Sequence, residues 1–182
     1  MVKTMEQDFN ARIHPLAEAI KVALIERGEM LATAESCTGG LIASSIVNEP
    51  GSSAMFAGAV VAYQNQVKTE LLGVSAEHLS QNGAVNGETV AAMAKGALEK
   101  FHCQWAIATS GIAGPTGAEP GKPVGTVWIA VANCLQNEVF CEKFDGDRQE
   151  IREKSVYSAM SRLTFLTNNQ KALAQTNTNC YI

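Results

Sequence analysis

Residues 31–42 read Leu-Ala-Thr-Ala-Glu-Ser-Cys-Thr-Gly-Gly-Leu-Ile, and the fold of this chain is most clearly encoded there. A short apolar run meets two candidate nucleophiles, Ser36 and Cys37. A glycine pair then opens an apolar segment of helical character. This order predicts a buried strand, a tight turn and a helix, which is the local unit of an α/β fold.

The glycine pair, Gly39 and Gly40, suggests that something approaches the backbone closely. Each glycine costs a helix roughly 1 kcal/mol relative to alanine, so its use there needs a reason. The first N–H groups of a helix are unpaired and lie at its positive end. The backbone of Thr38, Gly39 and Gly40 can therefore supply an oxyanion site beside Ser36. The alternative is a structural turn with Thr38 as N-cap, and this segment alone leaves both open.

Helical and strand-like segments alternate along the rest of the chain and end in a hairpin. Pro15, after polar residues 1–14, fits the first turn of the opening helix. Ser75 is predicted to begin a later helix and to lie in its first turn, and Asn86 and Asp147 are the predicted N-caps of two more. We therefore predict an α/β fold with a mixed sheet of about five strands covered by helices on both faces.

The composition is that of one globular domain, with 46% hydrophobic and 18% charged residues among 182. We predict one domain over residues 1–166 and a flexible polar tail over 167–182. The net charge of −4 argues against nucleic-acid binding. A cytoplasmic location without membrane contact is predicted, because no apolar run approaches ~20 residues and the N-terminus lacks a signal-peptide core. No His or Cys spacing suits a metal, and no cofactor is expected.

Ser36 needs a base, because an isolated serine hydroxyl is a weak nucleophile and no histidine lies near it in sequence. Lys68 is the candidate, since burial can lower the pKa of a lysine. Both residues follow predicted strand ends, where ligand sites of α/β sheets gather. The alternative is that Lys68 is a solvated helix residue.

A glycine- and proline-rich loop follows Thr109 and reads Ser-Gly-Ile-Ala-Gly-Pro-Thr-Gly-Ala-Glu-Pro-Gly-Lys-Pro. The phosphate loop of ATPases would need glycine at Thr116 and a hydroxyl at Pro123, so ATP hydrolysis is disfavoured. A long loop in a compact domain is still typical of a ligand site. Its candidate substrate contacts are Ser110, Gly111, Gly114, Thr116 and Gly117.

Arg148 and Arg152 are four residues apart and share a face at the start of the last predicted helix. Arginines there oppose the helix dipole but suit a phosphate or carboxylate ligand. The alternative is salt bridging with Glu150 or Glu153.

Taken together, these segments resemble the CinA C-terminal domain family. The resemblance rests on Thr33-Ala-Glu-Ser-Cys-Thr-Gly-Gly40, Tyr63-Gln-Asn-Gln-Val-Lys-Thr-Glu-Leu-Leu-Gly-Val74, Gly83-Ala-Val85, Ser110-Gly-Ile-Ala-Gly-Pro115, Lys122-Pro-Val-Gly-Thr-Val127 and Phe144-Asp-Gly-Asp-Arg148. In order and spacing it covers nearly the whole chain, from about residue 15 to residue 166.

The resemblance implies a three-layer α/β/α fold and a nicotinamide-nucleotide amidase. Such an enzyme hydrolyses nicotinamide mononucleotide to nicotinate mononucleotide and ammonia, in the recycling of pyridine nucleotides. The serine–lysine arrangement of the family maps onto Ser36 and Lys68, and Tyr63 and Asn65 are expected to help shape the pocket. A homodimer is expected, because dimers are the commonest closed assembly.

One departure from the family pattern follows Gly83-Ala-Val85. The family commonly continues with Ser-Glu, whereas this chain has Asn86-Gly87, with Glu88 one place later. An inactive nucleotide-binding member of the family is therefore the alternative function. A third reading makes Cys37 a reactive thiol, since a helix N-terminus lowers the pKa of a thiol.

Overall fold

Residues 5–169 are described in a computed structural model of the chain. Its helices are α1 (Met5–Arg27), α2 (Leu41–Val47), α3 (Asn65–Leu72), α4 (Ala76–Asn82), α5 (Gly87–Phe101) and α6 (Arg148–Asn169), with a 3₁₀ turn at Ser52–Ala54. Its strands are β1 (Leu31–Glu35), β2 (Phe56–Val61), β3 (Trp105–Gly111), β4 (Thr126–Asn133) and β5 (Asn137–Lys143).

The five strands form one mixed sheet in the order β2-β1-β3-β4-β5. β1 is parallel to both β2 and β3, whereas β3–β4 and β4–β5 are antiparallel. Helices α1, α2 and α6 cover one face, and α3, α4 and α5 cover the other. The predicted three-layer α/β/α fold with five strands is confirmed.

The two faces of the sheet differ in the size of their side chains. Because successive residues of a strand point to opposite faces, each strand divides its side chains between two cores. In β3, Trp105 and Ile107 face α1 and α6, while Ala106 and Ala108 face α5. Alanines on the second face let α5 lie close to the sheet.

The topology places the carboxyl ends of four strands, β1, β2, β3 and β5, on the same side of the sheet. β1, β2 and β3 run parallel, and two antiparallel steps return β5 to the same direction. The residues that follow these strands, from Ser36 to Arg148, therefore converge there, as expected for a ligand site of an α/β sheet.

The two predicted N-caps, Asn86 and Asp147, are confirmed, whereas Ser75, predicted inside the first turn of its helix, is the N-cap of α4. The Ser75 hydroxyl accepts a hydrogen bond from the backbone N–H of His78 at 3.2 Å, and the Asn86 side chain accepts one from Thr89 at 2.8 Å. Asp147 accepts from the backbone N–H groups of Gln149 and Glu150 at 2.8 and 2.9 Å.

Both ends of the chain correct the sequence prediction. α1 begins at Met5 and Pro15 lies inside it, because Ile13, Ala17 and Ile20 form one buried stripe that packs on α6. The predicted tail is wrong for residues 167–169, which continue α6. Thr167 is buried and its carbonyl accepts a hydrogen bond from Arg27. Residues 170–182 lie outside the described part of the chain.

Candidate active site

Ser36 lies immediately beyond the end of β1 and is held by its backbone. Its N–H donates to the carbonyl of Thr109 on β3 at 2.9 Å, and its carbonyl accepts from the N–H of Gly39 at 3.2 Å. The side chain is only 9% exposed. A backbone fixed on both sides gives the hydroxyl a defined direction.

Lys68 lies on α3 and contacts Ser36 beyond the carboxyl ends of β1 and β2. Its Nζ is 3.2 Å from Ser36 Oγ and donates to the carbonyls of Ala62 at 2.7 Å and Tyr63 at 3.3 Å. The residue is 1% exposed, so the solvated alternative is wrong. Burial lowers the pKa of Lys68 below its ordinary value of 10.5.

A cavity of about 180 Å³ opens onto this pair. Its walls come from the residues that follow β1 and β2, from the turn before α5, from the end of β3 and from the start of α6. The lining residues are Ser36, Cys37, Tyr63, Asn65, Lys68, Ala84, Val85, Ser110, Gly111, Ala113 and Arg148. The cavity thus combines a hydroxyl, a buried amine, a carboxamide and a guanidinium.

Glu35 changes the interpretation of the glycine turn. Its fully buried carboxylate accepts hydrogen bonds from the backbone N–H groups of Gly40 at 2.9 Å, Ile42 at 3.1 Å and Ala43 at 2.8 Å. Since the N–H of Gly39 binds the Ser36 carbonyl, neither glycine N–H is available to a substrate. The predicted oxyanion donors at Gly39 and Gly40 are therefore wrong. The start of α2 is capped by the protein's own anion.

Thr38 is neither the N-cap of α2 nor a wall of the cavity. Its hydroxyl lies 2.7 Å from the Thr109 hydroxyl, and the residue before α2 is Gly40, whose φ of 91° is left-handed. The carbonyl of Thr38 accepts two hydrogen bonds from Arg152, at 2.8 and 3.3 Å. Arg152 thus ties α6 to the turn that carries Ser36, and it does not line the cavity.

Arg148 does line the cavity and joins two of its walls. Its guanidinium donates to the carbonyl of Gly114 at 2.8 Å and to the hydroxyl of Tyr63 at 3.0 Å. Glu150 and Glu153, the alternative partners of the two arginines, instead accept from the backbone of Asp147 and from Gln149. A second cavity of about 390 Å³ adjoins the first and shares Ala113 and Arg148 with it.

The glycine-rich loop contributes fewer contacts than the sequence predicted. Ser110 and Gly111 line the cavity, and the Ser110 hydroxyl donates to the carbonyl of Ala84 at 2.8 Å. Gly114, Thr116 and Gly117 do not line it. Gly114 is buried with its carbonyl bound to Arg148, and residues 115–120 are exposed.

Several residues that line the cavity were not predicted from the sequence. Ala84, Val85 and Ala113 form walls of the cavity, but alanine and valine carry no chemical signal in a sequence. Glu35 was missed too, although a carboxylate directly before a glycine-rich helix start is a recognisable capping signal.

Cys37 lines the cavity but is not poised as a thiolate. Burial raises the pKa of its thiol to about 12, which favours a packing role over the reactive-thiol alternative. A free thiol in apolar surroundings acts as a small packing residue.

The departure at Asn86-Gly87 lies behind the cavity wall. Asn86 caps α5 and its amide donates to the carbonyl of Gly83 at 2.8 Å. A Cβ on Gly87 would lie 3.0 Å from Trp128 of β4 and 3.2 Å from Val139. Neither Asn86 nor Gly87 lines the cavity, so the departure alters helix packing and leaves the chemical groups in place.

The model of the CinA C-terminal domain matches residues 13–166. The chain belongs to the CinA family. It is 45% identical over 150 residues to a CinA-like protein of Synechococcus sp. (strain CC9902), a match that covers 81% of this chain and 36% of the relative. It is 47% identical over 142 residues to a CinA-like protein of Fervidobacterium nodosum, covering 77% and 34%. The chain thus spans about a third of the length of the curated CinA relatives that it matches.

Solved structures of the CinA family share the fold. The competence/damage inducible protein CihA from Agrobacterium tumefaciens matches with a TM-score of 0.83 and 39% identity, over 86% of this chain and 96% of that one. The competence damage-inducible protein A from Klebsiella pneumoniae matches with a TM-score of 0.81 and 38% identity, over 84% and 95%.

Two classes of site are not found in the described part of the chain. Within residues 5–169, no three His, Cys, Asp or Glu side chains are grouped so that they could hold a metal ion. None of the helices in that range is both long and apolar enough to span a membrane.

Proposed function

We propose that the chain is a cytoplasmic amidohydrolase that converts nicotinamide mononucleotide to nicotinate mononucleotide and ammonia. The observation that carries this proposal is the buried Lys68 amine, 3.2 Å from the Ser36 hydroxyl in a cavity. A serine next to a desolvated lysine is a nucleophile with its base, which suits amide hydrolysis. The resemblance to amidases of the CinA family supports the substrate.

The contacts of Lys68 suit a neutral amine. Such an amine has two N–H bonds and one lone pair. The carbonyls of Ala62 and Tyr63 can accept hydrogen bonds from the two N–H groups, so that the lone pair is available to accept the proton of the Ser36 hydroxyl 3.2 Å away. Carbonyl partners hold the nitrogen in place without the stabilisation of the ammonium form that a carboxylate would give.

The reaction then has two halves. Ser36 Oγ attacks the carboxamide carbon while Lys68 takes its proton, and the tetrahedral intermediate collapses as Lys68 returns that proton to the departing ammonia. Water next attacks the ester on Ser36, with Lys68 again as base, and releases the acid. We assign the Asn65 amide to the developing oxyanion and Arg148 to the phosphate, because both line the cavity and carry N–H groups that can donate hydrogen bonds.

The test measures ammonia release from nicotinamide mononucleotide across pH. Ser36→Ala, Lys68→Met and Lys68→Arg should each lose at least ~10²-fold in kcat, since a general base contributes about that much and guanidinium stays protonated. The wild-type rate should rise with pH along one ionisation below 10.5, because the neutral amine is the active form.

The matched control is Lys95→Met, which removes an exposed lysine and should leave kcat unchanged. A Lys68→Arg enzyme within tenfold of wild type would make Lys68 a mere cationic contact. Binding of the nucleotide without ammonia release by the wild type would favour the inactive nucleotide-binding alternative.

A further inference from the structure

The turn between α4 and α5 forms one wall of the catalytic cavity, through Ala84 and Val85. The carbonyl of Ala84 accepts a hydrogen bond from the Ser110 hydroxyl at 2.8 Å, which fixes the turn on the side of β3. On its other side, the amide of Asn86 donates to the carbonyl of Gly83 at 2.8 Å. The position of this wall therefore depends on what holds the Asn86 side chain.

His78 holds that side chain from α4. Its Nε2 lies 3.1 Å from Asn86 Oδ1, and the same oxygen accepts the backbone N–H of Thr89 at 2.8 Å. Because an amide oxygen can only accept hydrogen bonds, Nε2 carries the hydrogen and donates it. The backbone of His78 is itself fixed, since its N–H donates to the Ser75 hydroxyl at 3.2 Å. The imidazole therefore holds Asn86 from a defined point on α4.

The second ring nitrogen of His78 has a partner in both protonation states of the imidazole. Nδ1 lies 3.3 Å from the amide nitrogen of Asn82 and 3.0 Å from a carboxylate oxygen of Glu88. The Asn82 amide can donate to the neutral ring, and the Glu88 carboxylate can accept from the protonated ring. The hydrogen bond from Nε2 to Asn86 is therefore compatible with either state. Only 19% of the His78 side chain is exposed, which limits competition from water.

We propose that His78 is a positioning residue of the catalytic cavity. It holds Asn86, Asn86 holds the carbonyl of Gly83, and the turn thereby places Ala84 and Val85 against the bound substrate. The inference rests on the proposed function for the identity of that substrate, nicotinamide mononucleotide. It gives Asn86, where the chain departs from the family pattern, a role beside capping α5, because an asparagine can accept from His78 and donate to Gly83 at once.

The kinetics of ammonia release test this role by separating KM from kcat. His78→Leu removes the donor and should raise KM by about 2–10-fold, the range of one neutral hydrogen bond. It should change kcat by less than about twofold, because Ser36 and Lys68 lie on other elements. His78→Gln should restore the wild-type KM, since its amide nitrogen can donate from about the place of Nε2. Gln81→Leu is the matched control on α4, because it replaces an exposed side chain that bonds Glu77, and it should leave KM unchanged.

Two further measurements do not need the proposed chemistry. The dissociation constant of nicotinamide mononucleotide, measured by calorimetry in the Ser36→Ala background, should follow the same order among the three variants. A wild type that binds the nucleotide without releasing ammonia would contradict the proposed function and leave this order as the test of His78. Nitrogen NMR of the substrate-free protein should place the hydrogen of the neutral His78 ring on Nε2.

Four results would each overturn the role of His78. These are a hydrogen on Nδ1 of the neutral ring, a nucleotide affinity unchanged in His78→Leu, a His78→Gln variant as weak as His78→Leu, and a Gln81→Leu variant weakened as much.

Discussion

At the scale of single residues, Lys68 is unusual because its amine is buried without an acidic partner. Taking an amine out of water costs free energy, and its partners are two carbonyls and a hydroxyl, none of them an anion. A side chain kept at a cost to stability in this way is typical of a functional site.

Lys68→Met should therefore stabilise the protein at pH 7, with a rise in Tm of about a few degrees. Because burial lowers the folded-state pKa of Lys68, the folded wild type binds fewer protons than the unfolded chain between that pKa and 10.5. Wild-type stability should thus gain on the variant as pH rises through that window. Thermal unfolding of both proteins from pH 7 to pH 10.5 measures the gap, and a variant less stable than wild type at pH 7 would contradict it.

Cys37 should resist alkylation although it lines a cavity. With its pKa raised to about 12, it holds almost no thiolate near pH 8. Iodoacetamide should label the exposed Cys141 first, and peptide mapping distinguishes the two positions. Cys37→Ala should keep most of the amidase activity. Labelling of Cys37 before Cys141 would instead support Cys37 as a reactive thiol.

At the scale of elements, the position of α3 depends on one glycine of α5. A Cβ added to Gly96 would lie 2.0 Å from the carbonyl oxygen of Leu72, the last residue of α3. The two helices therefore approach each other backbone to backbone at this point. Lys68 lies one turn before Leu72 on α3. The contact at Gly96 therefore also helps to fix the position of Lys68 relative to Ser36.

Gly96→Ala should destabilise the protein by about 1–3 kcal/mol, as overpacking does, although Gly→Ala in a helix ordinarily stabilises. It should also lower kcat, because α3 must shift. Lys95→Ala, at the next exposed position, is the control and should change the free energy of unfolding by less than about 0.5 kcal/mol. Urea unfolding compares them, and a stabilised Gly96→Ala would show that the helices separate freely.

The elements also show what a sequence can and cannot predict. The caps at Ser75 and Asn86 were predictable, because each bonds a backbone group three residues ahead. The roles of Arg148 and Arg152 were not, because their partners Gly114 and Thr38 are 34 and 114 residues away. A repeating four-residue spacing shows that two side chains share a face, but tertiary packing decides which one reaches the cavity.

At the scale of the whole molecule, the site is assembled from both ends of the chain. Ser36 follows the first strand, whereas Arg148 begins the last helix, and the sheet brings them to one edge. The two arginines of α6 should for this reason behave differently.

Arg148→Ala should raise KM for nicotinamide mononucleotide by roughly 10–100-fold and leave KM for nicotinamide riboside nearly unchanged, since a charge-assisted contact to phosphate is lost. Arg152→Ala should instead loosen the Ser36 turn and reduce kcat for both substrates alike. The ratio of kcat/KM for the two substrates separates these effects. An equal change of that ratio in both variants would contradict the assignment of Arg148 to the phosphate.

The contact between Gly87 and Trp128 couples two positions that lie on different elements. A Cβ at position 87 would lie 3.0 Å from the indole ring of Trp128, so the ring or the start of α5 would have to shift by a few tenths of an ångström. The cost of a side chain at position 87 therefore depends on the residue at position 128, and the effects of substituting the two positions on the free energy of unfolding should not be additive.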